Sequence, residues 1–471
     1  MIRTSTVRRR IVMAAVFLIA ALLGWAVGVR VMAEPKIRID SVGRLNELAA
    51  SRQPEGANAW PVYEQAIEWM RRGGFPGPGG DAVTRDEVRA AINGLAIATG
   101  RGRPGDTVPT KEELGRMIEL LAPIVRLIDE AAEAPSCLIH INADTLPHAM
   151  NEASESSRGI LQFSAMNRDL MHISGMRGDW DSTLQRFRVG RGLVRHLLMK
   201  PSHLSAAALR SVEYDLRVLQ QLCMALDMDL DMPQDVCERF LAALQEERAG
   251  GDQDIDFLFS ILQLQADDFL QRFYSDDGRG DGFPLNMRVW EGMVYSDDHR
   301  PRPLERLIAL SPDTLLSPSR RKAARADERE FEVVKRYLDG EIDGAKAQRR
   351  IGEIIWPLFK YSYAPRVESM YFAWPWWRIL AVEATTEVML RLSLHKARTG
   401  AWPATLEEAM TREQTLEPIT GEPFRYILAP EDDERGRPYL LLAPESFPGS
   451  GLYNRSAIMN VGWPDGGMFP L

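Results

Sequence analysis

The sequence predicts a mainly α fold: stacked helical hairpins after one N-terminal transmembrane helix, closed by a small α+β module at the C-terminus. Three observations predict it. Ile11 to Val29 is an uncharged run of nineteen residues directly behind Arg3, Arg8, Arg9 and Arg10. Apolar residues then recur at helical spacing through most of the chain. Only near the end does the period change, where Phe424 to Leu428 and Tyr439 to Leu442 read as short strands flanking the polar turn Glu431 to Arg437.

At about 1.5 Å of rise per residue the uncharged run makes a helix of roughly 28 Å, close to the ~30 Å of bilayer hydrocarbon. The arginines before it favour a cytoplasmic N-terminus, with the bulk of the chain extracytoplasmic and the run kept as a single-pass anchor in the cell membrane. A cleavable signal peptide is the rival, with Val31-Met32-Ala33 as the cleavage region, and it would leave a secreted or periplasmic product. The run is longer than an ordinary signal core, which favours the anchor.

A chain of 471 residues exceeds a single core. Composition and periodicity divide it into an anchor or signal segment (1–33), a helical-hairpin body (34–300), a helical and aromatic connection (301–377) and the α+β module (378–471). The net charge of −9 is spread along the chain, with no basic patch beyond the N-terminal arginines and Arg320-Arg321-Lys322, so nucleic acid is disfavoured as a partner. Cys137, Cys223 and Cys237 are too few for a disulfide framework or a zinc site. Export permits one bridge between Cys223 and Cys237, against which stands a buried free thiol on an apolar helix face.

Within the body, a helix over Glu64 to Arg72 runs into Gly73 to Gly80, a loop by composition. Helices follow over Thr84 to Ala98 and from Thr110, where Glu113 completes a capping box. Between Ser156 and Asp227 three helical segments are separated by Gly178-Asp179 and Lys200-Pro201. The second carries Leu184, Phe187, Leu193, Val194, Leu197 and Leu198 on one face and Arg186, Arg188, Arg191 and Arg195 on the other. The third keeps Leu204, Ala208, Val212, Leu216, Leu219, Leu222 and Leu226 in register. Neither stripe can be buried alone, so stacking on neighbours is expected. More helix is expected over Asp231 to Gln271 and Ser317 to Tyr337, whereas Pro357, Pro365 and Pro375 exclude one continuous helix over Ile351 to Trp377. The aromatics of that stretch fit domain packing, with a sugar- or peptide-binding surface as the alternative.

Met176-Arg177-Gly178-Asp179-Trp180-Asp181 and the helix after it are similar to the inter-helix turn of tetratricopeptide-like repeats, over about one hairpin. At the C-terminus, Gly400-Ala401-Trp402-Pro403, Pro418 to Tyr426 and Gly462 to Gly467 resemble the C-terminal half of type II secretion major pseudopilins. They also resemble the tail of uncharacterised bacterial envelope proteins that have one N-terminal hydrophobic segment and a helical middle. The resemblance implies an envelope location. A prepilin peptidase site and a single long N-terminal helix are missing, which argues against pilus assembly.

For chemistry, the acidic, glycine-rich turn Asp276-Asp277-Gly278-Arg279-Gly280-Asp281-Gly282 is the candidate metal site. Calcium prefers six to eight oxygens. Counting from Asp277 puts Asp281 fifth and Gly282 sixth, as in an EF-hand loop, but Arg279 and Arg288 occupy ligand positions; a solvated turn is the competing reading. Asp297 and Asp298, in a repeat of the Tyr-Ser-Asp-Asp word, would complete the shell. Gly100 to Gly105 matches a dinucleotide expression without the strand and helix that would make it a phosphate cradle. None of the seven histidines falls in a paired-ligand spacing, and no nucleophile elbow or Walker lysine occurs. The sequence therefore points to a non-enzymatic, membrane-anchored binding or scaffold protein with a protein partner. An envelope hydrolase with a calcium-dependent acidic site and a secretion-associated component are the alternatives.

Overall fold

The protein is described from a computed structural model. It describes residues 11–24, 36, 38–51, 55–103, 105–138, 148–198, 215–220, 222–223, 232–250, 260–261, 263–264, 266–268, 270–271, 274–276, 278–282, 318–339, 341–342, 344–359, 370–418, 420–428, 438–442 and 444.

The architecture is mainly helical with two small antiparallel sheets. In order come α1 (Ser41–Ser51), α2 (Trp60–Arg72), β1 (Gly73–Pro76), β2 (Ala82–Thr84), α3 (Arg85–Ala98), α4 (Lys111–Glu133), α5 (His148–Met176), α6 (Trp180–Leu198), α7 (Gln234–Gly250), α8 (Arg320–Leu338), α9 (Gly344–Phe359), α10 (Met370–Thr399), two 3-10 turns, β3 (Arg425–Leu428) and β4 (Tyr439–Leu442). Two compact units result, each assembled from separated stretches instead of following the chain in order. One comprises Met1–Leu45, Asn142–Asn151 and Phe259–Ser369; the other comprises Asn46–Ile141, Glu152–Leu258 and Met370–Leu471.

Residues 11–24 are helical with exposed apolar side chains. That helix reaches about 21 Å, short of the bilayer core, and the rest of the expected span lies outside the described residues. Among the described residues no helix is long and apolar enough to cross a membrane.

In the larger unit α2 and α3 pack on α4, α4 on α6, α6 on α7, and α7 on α10. Its core is filled by Tyr63, Leu95, Leu121, Ile124, Ile128, Phe163, Phe187 and Phe240. Helix starts are set locally: Thr84 with Glu87, and Thr110 with Glu113, each form a reciprocal capping box. Between α5 and α6, Gly178 adopts φ 70° and Asp179 Oδ1 accepts from Ser182 N at 3.1 Å, so one glycine and one acid make the expected turn.

The stretch read as a loop at Gly73 to Gly80 instead opens a hairpin, β1 paired antiparallel with β2. Phe75 and Val83 alternate into the core, and Phe75 stacks on Trp69 with centroids 5.1 Å apart. Glycine is required at position 73, because a Cβ there would stand 2.4 Å from the Val83 carbonyl oxygen. Glycine-rich composition concealed the strand because the alternation needs only Phe75 and Val83.

The expected C-terminal hairpin forms, with Arg425 opposite Leu442 and Leu428 opposite Tyr439. Its Trp402-Pro403 word has a packing role. Trp402 meets Tyr439 edge-on at 4.9 Å, Pro403 O accepts from Tyr426 Oη at 2.9 Å, and Lys396 of α10 lies over the Trp402 ring at 5.0 Å. Helices α9 and α10 divide the proline-broken aromatic stretch, with Pro357 and Pro375 inside them. The side chains of that aromatic run lie outside the described residues.

In the smaller unit α8 packs on α9, and Leu270, Tyr274 and Ala323 form a small core joined by Ala324. Phe331, Val334 and Tyr337 line the buried face of α8 at helical spacing.

Candidate functional site

The acidic turn of the smaller unit brings three separated segments together. Asp276 is fully buried at its side chain, whereas Arg38 is 41% exposed and Arg320 11%. Arg38 approaches in a fork, Nε to Oδ2 at 2.5 Å and Nη2 to Oδ1 at 2.7 Å. Arg320 Nη1 reaches Oδ2 at 3.4 Å, and Gly278 N donates to Oδ1 at 2.7 Å. The Arg38 hydrogen bonds hold the Asp276 carboxyl well below the usual carboxylate range, with Gly278 N and the Arg38 charge adding to the effect against burial. Burial lowers the Arg320 pKa, while Asp276 raises it.

The other half of the turn starts a helix. Ser319, at the N-cap of α8, makes no side-chain capping bond. Asp281 supplies one from a distant part of the chain: its Oδ1 accepts from Arg321 N at 3.0 Å and from Gly282 N at 2.9 Å. Gly282 O accepts from Arg320 N at 2.8 Å. The limbs of the turn close so tightly that a Cβ on Gly282 would stand 1.7 Å from Ser275 O. Acid and glycine, read from the sequence as calcium-loop features, here serve an ion-pair junction and a helix start.

Of the five expected ligands, Asp276 and Asp281 lie among the described residues, while Asp277, Asp297 and Asp298 lie outside them. Both Asp276 oxygens already accept from cationic donors, so cation binding there requires displacing two guanidinium groups. Among the described residues no group of three His, Cys, Asp or Glu side chains is placed to hold a metal ion.

A second polar locus lies in the larger unit. Tyr63 Oη stands 2.9 Å from His196 Nδ1, and His196 Nε2 stands 2.9 Å from Ala134 O. A carbonyl only accepts, so Nε2 carries the proton and Nδ1 accepts from the tyrosine. Both side chains are buried, and burial raises the Tyr63 pKa well above its ordinary value. His196 is a core histidine with both nitrogens occupied. Elsewhere in this unit burial lowers His172 to about 4.

The third locus corrects the expectation for α6. Arg186 and Arg191, assigned to the polar face, are 9% and 7% exposed and pair with Asp129 and Glu383. Helix α6 has neighbours on both faces, α4 and α7, which the single apolar stripe did not indicate. Two glycines in its interior permit the close approach: a Cβ on Gly192 would stand 2.4 Å from Ala132 O, and one on Gly190 would stand 2.6 Å from Asp215 Oδ2. Asp215 is buried, and among the described residues neither carboxylate oxygen has a hydrogen-bond partner. Burial pushes its pKa up to about 7, against the pull of Arg168 and Arg191. Its position was readable: residue 215 is seven beyond Ala208 and four before Leu219, on the apolar register of its own helix.

The glycine loop after α3 is fastened as well. Arg101 Nε donates to Asp169 Oδ1 at 2.9 Å, and Thr99 Oγ1 donates to the same oxygen at 2.9 Å. Burial raises the Asp169 pKa while Arg101 lowers it. Asp276, Asp281, His196, Arg186, Arg191 and Asp169 each join one segment to another. Comparison with family models, with curated proteins and with solved structures finds no match for this chain.

Proposed function

We propose that this is a membrane-anchored, extracytoplasmic binding or scaffold protein of the cell envelope, with a body of stacked helical hairpins that engages a protein partner and performs no catalysis. The observation that carries the reading is the nineteen-residue uncharged run behind four arginines. Its described part supports it: Ile11, Val12, Met13, Val16, Phe17, Leu18, Ile19, Leu22 and Leu23 are all more than half exposed on one helix. Leaving nine such side chains in water costs on the order of 10–20 kcal/mol relative to burial, which lipid would recover. The non-catalytic reading is supported by the commitment of Asp276, His196 and Arg191 to closed pairs within the fold.

Fractionation tests it. After lysis without detergent, the intact chain is expected in the membrane pellet and to stay there through an alkaline carbonate wash. Recovery of the uncut chain in the supernatant refutes anchoring.

A further inference from the structure

We propose that the segment leaving the N-terminal apolar run is a docked tether, clasped by Gln271 and Asp276, which keeps the smaller unit within about 30 Å of the bilayer surface. The inference rests on the membrane-anchored reading and deepens it.

Only Arg30 to Ile37, eight residues, separate Val29 from Arg38, and that length at full extension gives the reach just stated. From Arg38 the chain is fixed to the body. Gln271 is 1% exposed and spends its amide on the tether: Oε1 accepts from Arg38 N and Ile39 N, both at 2.7 Å, and Nε2 donates to Ile39 O and Ser41 Oγ, both at 3.1 Å. Arg38 adds its fork to Asp276. Asp40 then caps α1, its Oδ1 accepting from Gly43 N at 2.8 Å. A linker evolved for reach is flexible and rich in glycine and serine. Arg30 to Ile37 contains neither. The tether is short, and its far end is bonded through backbone and side chain to groups 230 or more residues away. The clasped end of the tether, residues 38 to 41, is therefore the point of the smaller unit held nearest the bilayer.

The test uses the full chain in vesicles of phosphatidylcholine and phosphatidylglycerol, with two readouts: flotation in a density gradient, and amide hydrogen exchange of a peptide spanning 36–42. The chain is expected to float, with the Arg38 and Ile39 amides protected. Gln271→Ala is expected to speed exchange at those two amides about tenfold, the loss of roughly 1.4 kcal/mol, while exchange in α8 stays unchanged. Should Gln271→Ala loosen α8 as well, Arg38→Gln decides the matter, because Arg38 is the exposed member of the clasp: faster exchange at 38 and 39 is expected, and unchanged exchange overturns the proposal. Flotation with 36–42 exchanging like free chain also overturns the clasp and leaves the anchor standing. Protection without flotation overturns the membrane reading, and with it the distance to the bilayer, while the clasp itself stands.

Discussion

Asp276 and Asp215 are both buried aspartates, one in each compact unit, and their chemistry runs in opposite directions. Asp276 receives four donors from Arg38, Arg320 and Gly278, and its carboxyl is held below the usual range. Among the described residues Asp215 receives none, and burial pushes it up to about 7. Arg168 and Arg191 pull it down without overcoming burial, and Arg191 is also paired with Glu383. The pair teaches that removal from water does not by itself fix the charge of an acid. Directed donors decide it.

The largest expected effect comes from Asp215→Asn. Below about pH 4 the acid is protonated in both folded and unfolded chains and carries no penalty. Between about 4 and 7 the unfolded chain releases its proton while the folded one keeps it, so stability falls as pH rises; above the folded pKa the penalty is complete, up to about 4 kcal/mol. Asparagine cannot titrate. Urea unfolding from pH 4 to 8 should find the variant more stable than the parent at pH 8, with the gain fading towards pH 4. A parent profile parallel to that of the variant would mean that Asp215 has a donor in solution, and the contrast with Asp276 would fail.

The same substitution at the other acid should act with the opposite sign. Asp276→Asn removes the carboxylate that Arg38 and Arg320 share, and about 2–3 kcal/mol of stability is expected to go at pH 7, discounted from the value for a fully buried pair because Arg38 is 41% exposed. Equal signs for the two asparagine variants, read from urea midpoints at one pH, would remove the distinction. The smallest effect belongs to Asp281→Ala, about 1 kcal/mol, as for loss of a helix cap. A calcium-dependent rise in melting temperature that Asp281→Ala abolishes would bring the calcium reading back to this turn.

The legible parts of the fold were those written by near neighbours. Thr110 and Glu113 are three residues apart and mark their helix start unaided. The strands Phe424 to Leu428 and Tyr439 to Leu442 carry their own period, and Gly178-Asp179 marks its turn. What escaped depends on partners far along the chain. Arg191 looks like a solvated residue until Glu383 is placed beside it, 192 positions later. Asp276 looks like a calcium ligand until Arg38 arrives from 238 positions earlier. Composition indicated that residue 276 belonged to a charged, glycine-dependent turn; it did not indicate that the cation beside Asp276 is the chain's own Arg38 guanidinium. Gly190 and Gly192 were the signal passed over, since glycine inside a helix costs about 1 kcal/mol per residue relative to alanine and persists where something approaches closely.

The clasp on Arg38 also has an order in time. Arg38 leaves the ribosome 233 residues ahead of Gln271, which at roughly 5–20 residues per second is an interval of about 10 to 50 s. Throughout that interval the amides of residues 38 and 39 lack the Gln271 acceptor. Translation of the second half of the chain then supplies the fastener, so the clasp on residues 38 and 39 closes only after Gln271 has been made.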